Sequence, residues 1–203
     1  MYNKKYNMTE LEDYKKEKLT INLIWANIFG ILILIPIVLI YGIPFFYLWN
    51  SEWNTHEMIK YISENNIINI VWKGLFIFII GIVVHELIHG IVWSKFAKNG
   101  FKSIKFGVLW KMLTPYCHCT ELLKVKHYIW GAITPAIILG FIPAVIAMFT
   151  GNIWILAFGM IFTMAACGDF LIINLLRKEN PNNYVEDHPS EAGCFIYRKL
   201  DEK

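Results

Sequence analysis

The chemistry this chain can do is concentrated in one hexapeptide, His85-Glu86-Leu87-Ile88-His89-Gly90. In an α-helix, residues four apart lie about 40° apart on one face, so His85 and His89 can hold one ion together. Glu86 projects beside them, where a carboxylate can take a proton from a metal-bound water. Two imidazole nitrogens suit zinc, which in a catalytic site takes one more protein ligand and keeps a position open for water. In a soluble helix such a spacing also arises by chance. Here it is embedded in the apolar run of residues 74–93. An ionisable residue at membrane depth costs about 2.5–3.5 kcal/mol, so three polar groups in one turn need a reason, and a shared metal ion provides one.

The elements that must position this turn are apolar helices. The 203 residues are 56 % hydrophobic, 16 % aromatic and only 17 % charged, with a mean hydropathy of +0.44. A soluble domain of this length carries more charge and shorter apolar runs. Four runs, roughly 21–49, 67–93, 128–149 and 153–176, are long enough to cross a hydrocarbon core of about 30 Å. They predict an all-α polytopic membrane protein of about four transmembrane helices. No linker is long enough to separate a second unit, so residues 1–203 read as a single membrane-embedded domain.

Charge placement predicts orientation in the cell membrane. Residues 1–20 hold Lys4, Lys5, Lys15, Lys16 and Lys18, and segment 94–127 holds seven lysines against the single acid Glu121. The tail adds Arg177, Lys178, Arg198, Lys199 and Lys203. Loop 50–66 has only Lys60 among Glu52, Glu57 and Glu64, and the turn at 150–152 has no charge. Both termini and the long central loop are therefore expected in the cytoplasm. The lysines sit at membrane edges, which argues against a nucleic-acid partner. The first apolar run is expected to act as a signal anchor rather than a cleaved leader. Cys117, Cys119, Cys167 and Cys194 fall at cytoplasmic positions and read as reduced thiols.

Smaller features fill in the frame. Residues 1–20 read as a polar segment, an amphipathic helix on the inner surface. Pro36 and Pro44 should kink the first span or end it early. His56, among acids and asparagines, reads as a solvated surface residue. After the second span, residues 101–120 turn strand-like and predict a short hairpin against the cytoplasmic mouth of the bundle. Cys117-His118-Cys119 does not have zinc-knuckle spacing, since strand alternation puts both thiols on one face and the imidazole on the other. His118 is instead a candidate polar group near the active site. Gly131, Pro135, Gly140 and Pro143 suit close packing of the third span. The fourth span holds one ionisable residue, Asp169. The tail at 187–197 reads as a turn and a short apolar strand docking onto the cytoplasmic face, with His188 exposed.

With His85-Glu86-x-x-His89 on one span, Thr134-Pro135 on the next and Gly168-Asp169 on the last, the chain resembles the putative zincin peptidase family of small bacterial membrane proteins. It is also distantly similar to the site-2 proteases, intramembrane zinc metalloproteases. The resemblance covers roughly residues 70–197. It implies that Asp169, which matches the later-helix aspartate of site-2 proteases, is the third zinc ligand. It also implies that strand-like segments such as 101–120 guide substrate. Where site-2 proteases carry Asn-Pro before that aspartate and Gly after it, this chain has Cys167-Gly168 and Phe170. Depth agrees with the assignment. Asp169 lies eight residues before Arg177, while His85 and His89 lie eight and four before Trp93, so all three fall within about one helical turn of the same level.

The expected function is a zinc-dependent membrane metalloendopeptidase with Zn²⁺ on His85, His89 and Asp169 and Glu86 as general base. Its partners would be the bilayer and a peptide or membrane-protein substrate. Two other classes compete: a non-proteolytic zinc protein serving regulation or scaffolding, and a small transporter. A structural zinc needs no base and prefers four protein ligands. A transporter would spread polar residues over several spans, whereas here they gather at the hexapeptide and Asp169.

Overall fold

Backbone polar groups in lipid must be satisfied within the segment that carries them, so long apolar runs become helices. The computed structural model describes residues 13–50, 63–109, 114–188 and 191–200, and His56 and residues 1–12 lie outside that set. Three helices are long and apolar enough to cross a membrane: α1 (Ile24–Trp49), α2 (Ile67–Ser94) and α3 (Val125–Thr150), of 26, 28 and 26 residues. At 1.5 Å per residue each is about 40 Å long, more than the hydrocarbon core requires. Such helices mark a membrane protein. Asn22 and Asn66 set the starts of α1 and α2, their side chains accepting first-turn N–H groups at 2.8 and 2.9 Å. Gly151, at φ +68°, ends α3 in the left-handed conformation.

Two expectations change at the prolines and in the last span. Pro36 and Pro44 do not end α1, which runs on to Trp49, although its regular α-helical pattern is interrupted at Ile33, three residues before Pro36. A π-helical turn at Val38–Gly42 precedes Pro44, and another at Ala136–Phe141 precedes Pro143. The wider turn relieves the clash between the proline ring and the preceding turn. The run at 153–176 is not one straight helix. It forms α4 (Ile153–Ala165) and α5 (Cys167–Leu176), bent by 45° about Ala166, so it counts as a fourth span only if the broken pair is taken together.

The chain is mostly helical and carries two small antiparallel sheets, of which the four-stranded one goes beyond the expectation of helices and a hairpin. One is the hairpin of β2 (Ile104–Leu109) and β3 (Thr114–Cys119), in register from Ile104–Cys119 to Leu109–Thr114. The other has four strands in the order β1-β6-β5-β4, with β1 (Tyr14–Thr20), β4 (Leu123–Lys124), β5 (Tyr184–Asp187) and β6 (Gly193–Lys199). Residues 14–20 are therefore an edge strand rather than a surface helix, paired with β6 from Tyr14–Lys199 to Thr20–Gly193. Matched charges hold that register: Lys18 reaches Glu191 at 2.7 Å, and Arg198 links Glu17 at 2.5 Å to Glu179 at 2.7 Å.

Packing differs along the long axis. Between α3 and α4 the helices touch through small residues, and a Cβ at Gly159 would sit 2.7 Å from the Gly140 carbonyl oxygen. At the other end, helix ends and strands share a core that includes Trp93, Leu123, Tyr128, Val185 and Ile196. Ile31, Tyr47, Phe76, Val83 and Phe149 point outward, as lipid-facing side chains do.

Candidate metal centre

The inward stripe of α2 is Gly81, His85, His89, Gly90 and Trp93, while Ile79, Val83, Leu87 and Ile91 face out. Helical periodicity alone thus buries both imidazoles, 7 % and 3 % exposed, and leaves the apolar residues to the bilayer. The bend at Ala166 places Asp169 in the first turn of α5, where the helix-end N–H groups favour a carboxylate. Its oxygens meet the two rings: His85 Nε2 stands 3.1 Å from Oδ2, and His89 Nε2 stands 3.3 Å from Oδ1. One ligand atom from each of the three residues lies within 4.8 Å of the others, the only such His/Cys/Asp/Glu group among the described residues.

These distances fit a shared zinc. Two ligands bonded tetrahedrally at about 2.0–2.1 Å stand about 3.3 Å apart. Hydrogen bonding favours the same reading. His89 Nδ1 donates to the Gly131 carbonyl at 2.8 Å, and a carbonyl can only accept, so that nitrogen carries the proton. Nε2 then turns its lone pair toward a carboxylate oxygen, which is repulsive unless a proton or metal ion lies between them. Two imidazoles converging on one carboxylate make room for a metal. An outer N–H···O=C bond is also how metal-bound histidines are usually held. His85 Nδ1 is buried and has no hydrogen-bond partner among the described residues.

The layer behind the ligands was not visible in the motif. His89 stacks on Trp93 at 5.0 Å, and Trp93 stacks on Tyr128 at 5.0 Å while donating its indole N–H to the Tyr128 carbonyl at 3.0 Å. A Cβ at Gly131 would fall 1.9 Å from Trp93 Nε1, so glycine is required for α3 to bring its carbonyl to His89. The signal for Trp93 was available, since it continues the 85, 89, 93 spacing on one helical face. Tyr128 and Asp187 gave no local sign.

A cavity of about 270 Å³ opens onto the three residues and is walled by Glu86, β3 and the tail around Asp187 and Gly193. The free edge of β3 points into it. Cys117 stands beside Glu86 in the cavity wall, and the Cys119 N–H donates to Asp187 Oδ2 at 2.9 Å. Residues two apart on a strand face the same way, so both cysteine N–H groups point to one edge. The Tyr128 hydroxyl donates to the other Asp187 oxygen. His118, expected near the site, lines this cavity. His188 does too, contrary to its expected exposure. Its side chain is 9 % exposed, its Nδ1 accepts the Glu191 N–H at 2.9 Å, and its ring packs on Phe195. The turn into β6 folds it inward. Burial, reinforced by nearby carboxylates, pushes the Cys117 thiol well up and the Cys194 thiol up to about 12, so neither is a ready thiolate ligand.

Residues 78–184 match the family described as "Putative zincin peptidase", just over half of the chain, and the chain belongs to that family. The match spans the hexapeptide, the hairpin, α3 and Asp169. A zincin assignment implies zinc, and the donor set described above is one that zinc accepts. Comparison with curated proteins and with solved structures returned no match.

Proposed function

We propose that this protein is a zinc-dependent membrane metalloendopeptidase of site-2-protease type, with His85, His89 and Asp169 as ligands and Glu86 as general base. The observation that carries this is the convergence of two imidazole nitrogens and a carboxylate, 3.1 and 3.3 Å apart, in a cavity that also holds Glu86. Zinc, when bound, supplies a Lewis acid that makes water reactive toward a peptide carbonyl near neutral pH. Glu86 accepts the water proton and delivers it to the leaving amine. Cys117 of β3 lines the same cavity wall as that carboxylate. A substrate peptide, from a membrane protein or a soluble chain, lies along β3, where strand pairing would expose its carbonyls. Retention of a base beside three ligands favours catalysis over a purely regulatory zinc site.

The test uses the full chain purified in detergent, with casein as probe substrate. The wild type should hold near-stoichiometric zinc and His85→Ala should lose it. Glu86→Gln should keep the zinc but cleave about 10²–10⁴-fold more slowly, because an amide cannot accept the proton. A Glu86→Gln protein that cleaves at the wild-type rate removes the residue from this role. We also place the chain in the cell membrane with both termini cytoplasmic. Reporters after Lys203 and near Lys98 should then read inside, and one near Asn54 outside.

A further inference from the structure

We propose that His118 is a catalytic residue of this site, donating a hydrogen bond to the scissile carbonyl oxygen as charge builds on it, and that Asp187 positions it. The inference rests on the metallopeptidase reading above. When water attacks, the carbonyl π pair moves onto oxygen and Glu86 takes the water proton. When the pair returns, the C–N bond breaks and that proton goes to the leaving nitrogen. The transient oxygen charge needs a donor that is neither a ligand nor the base.

Among the described residues the cavity leaves one side chain for that task, and none of those lining it is a lysine or arginine. The Trp93 indole is committed to the Tyr128 carbonyl and the Tyr128 hydroxyl to Asp187. The Tyr116 hydroxyl lies over Gly107, where a Cβ would meet it at 2.5 Å. His188 is engaged with the Glu191 backbone and faces the Glu191 carboxylate at 3.8 Å. His118 remains, on β3 in the wall that also carries Glu86 and Cys117.

Asp187 is built to hold it. The Tyr128 hydroxyl and the Cys119 N–H fix both carboxylate oxygens, and Oδ2 lies 3.6 Å from His118 Nδ1. Both side chains are mostly shielded, 22 % and 12 % exposed, so the attraction is little screened. The donor is the imidazolium form, in which Nδ1–H faces the Asp187 charge and Nε2–H is left to donate, because a neutral ring protonated on Nδ1 could only accept at Nε2. His118→Asn ends the side chain at the level of Nδ1 and so withdraws the Nε2 donor, while Asp187→Asn keeps shape and the Cys119 contact but removes the charge.

The experiment uses zinc-loaded full-length protein in detergent with two readouts. One is casein cleavage. The other is a Trp-fluorescence titration with a phosphonamidate dipeptide, a tetrahedral oxyanion mimic, against acetohydroxamate as a simple zinc-binding control. His118→Asn should lower kcat about 10²-fold with KM little changed, and weaken the phosphonamidate by a similar factor. Asp187→Asn should follow in the same direction with a smaller loss. The double variant should be no worse than His118→Asn alone, because Asp187 acts through the imidazole. Zinc content and acetohydroxamate affinity should stay within about twofold. A His118→Asn protein that binds the phosphonamidate like wild type overturns the inference, as do additive losses in the double variant. A wild type that holds zinc without preferring the tetrahedral anion overturns it too. Absence of zinc, or cleavage unaffected by Glu86→Gln, instead defeats the metallopeptidase reading.

Discussion

The two packed regions of this molecule are built on different principles. Around Phe45, Ala144, Ala147 and Leu156, helices meet through apolar and small side chains, with the Trp49 indole N–H on the Met148 carbonyl at 3.0 Å as a polar contact. Around Trp93, Ile104, Leu123, Tyr128, Leu176 and Ile196, strands and helix ends bury large side chains as a soluble core does. Lipid is as apolar as leucine, so the first region gains from close backbone approach rather than from leaving water. The second covers non-helical backbone, which membrane depth tolerates only under protein. The candidate metal ligands His85, His89 and Asp169 sit against the second region. A fixed constellation of polar groups needs carbonyls, N–H groups and aromatic walls that a bundle of apolar helices cannot offer.

Substitutions can break that contrast. The largest effect belongs to Asp169→Ala, which should weaken zinc retention by about 10–100-fold in competition with a chelator. Full occupancy after that change would move the third ligand elsewhere, with His118 the next residue to test. Next come two truncations of similarly buried residues, Ile196 at 0 % and Leu156 at 3 % exposed. Ile196→Ala should cost about 2–5 kcal/mol and also lower zinc retention, because it loosens the core in which Trp93 and Tyr128 back His89. Leu156→Ala should lower the thermal midpoint in detergent while leaving zinc content unchanged. Zinc lost equally from both would erase the distinction drawn here.

The smallest effect is on pH dependence. Burial raises the Cys194 thiol from its ordinary 9.0 to about 12 in the folded protein. The unfolded chain would release that proton first, so this contribution to stability is full below pH 9 and is lost as pH rises toward 12. Thermal scans across that window should show a steeper decline for wild type than for Cys194→Ala, and equal slopes would count against the buried thiol.

Much of the site was legible because helical geometry is local. The 85, 89 spacing and the equal depth of Asp169 needed only 1.5 Å per residue and a membrane edge to count from. The hairpin at 101–120 announced itself by composition. What stayed hidden depends on partners far apart in sequence. Tyr14-Lys-Lys-Glu-Lys-Leu-Thr20 has four charges and little strand propensity, and it becomes a strand because β6 supplies Arg198 and an open edge. Asp187 and Tyr128 are 59 positions apart and meet only once β5 docks. The bend at Ala166 was masked by a long run that is apolar but for Thr163, Asp169 and Asn174, although Gly168 stood beside it.

The pairing of β1 with β6 has a consequence for the life of the chain during synthesis. Ile21, next to β1, and Gly193, which opens β6, both wall the cavity. Asp187 arrives only with β5. Chains emerge N-terminus first, so α2 is in place long before the strand that completes the cavity has been made. The first strand must wait for the last. A ribosome-bound intermediate therefore carries the hexapeptide without a finished pocket around it, and a truncated product lacking its final strand would carry the motif without the enclosure.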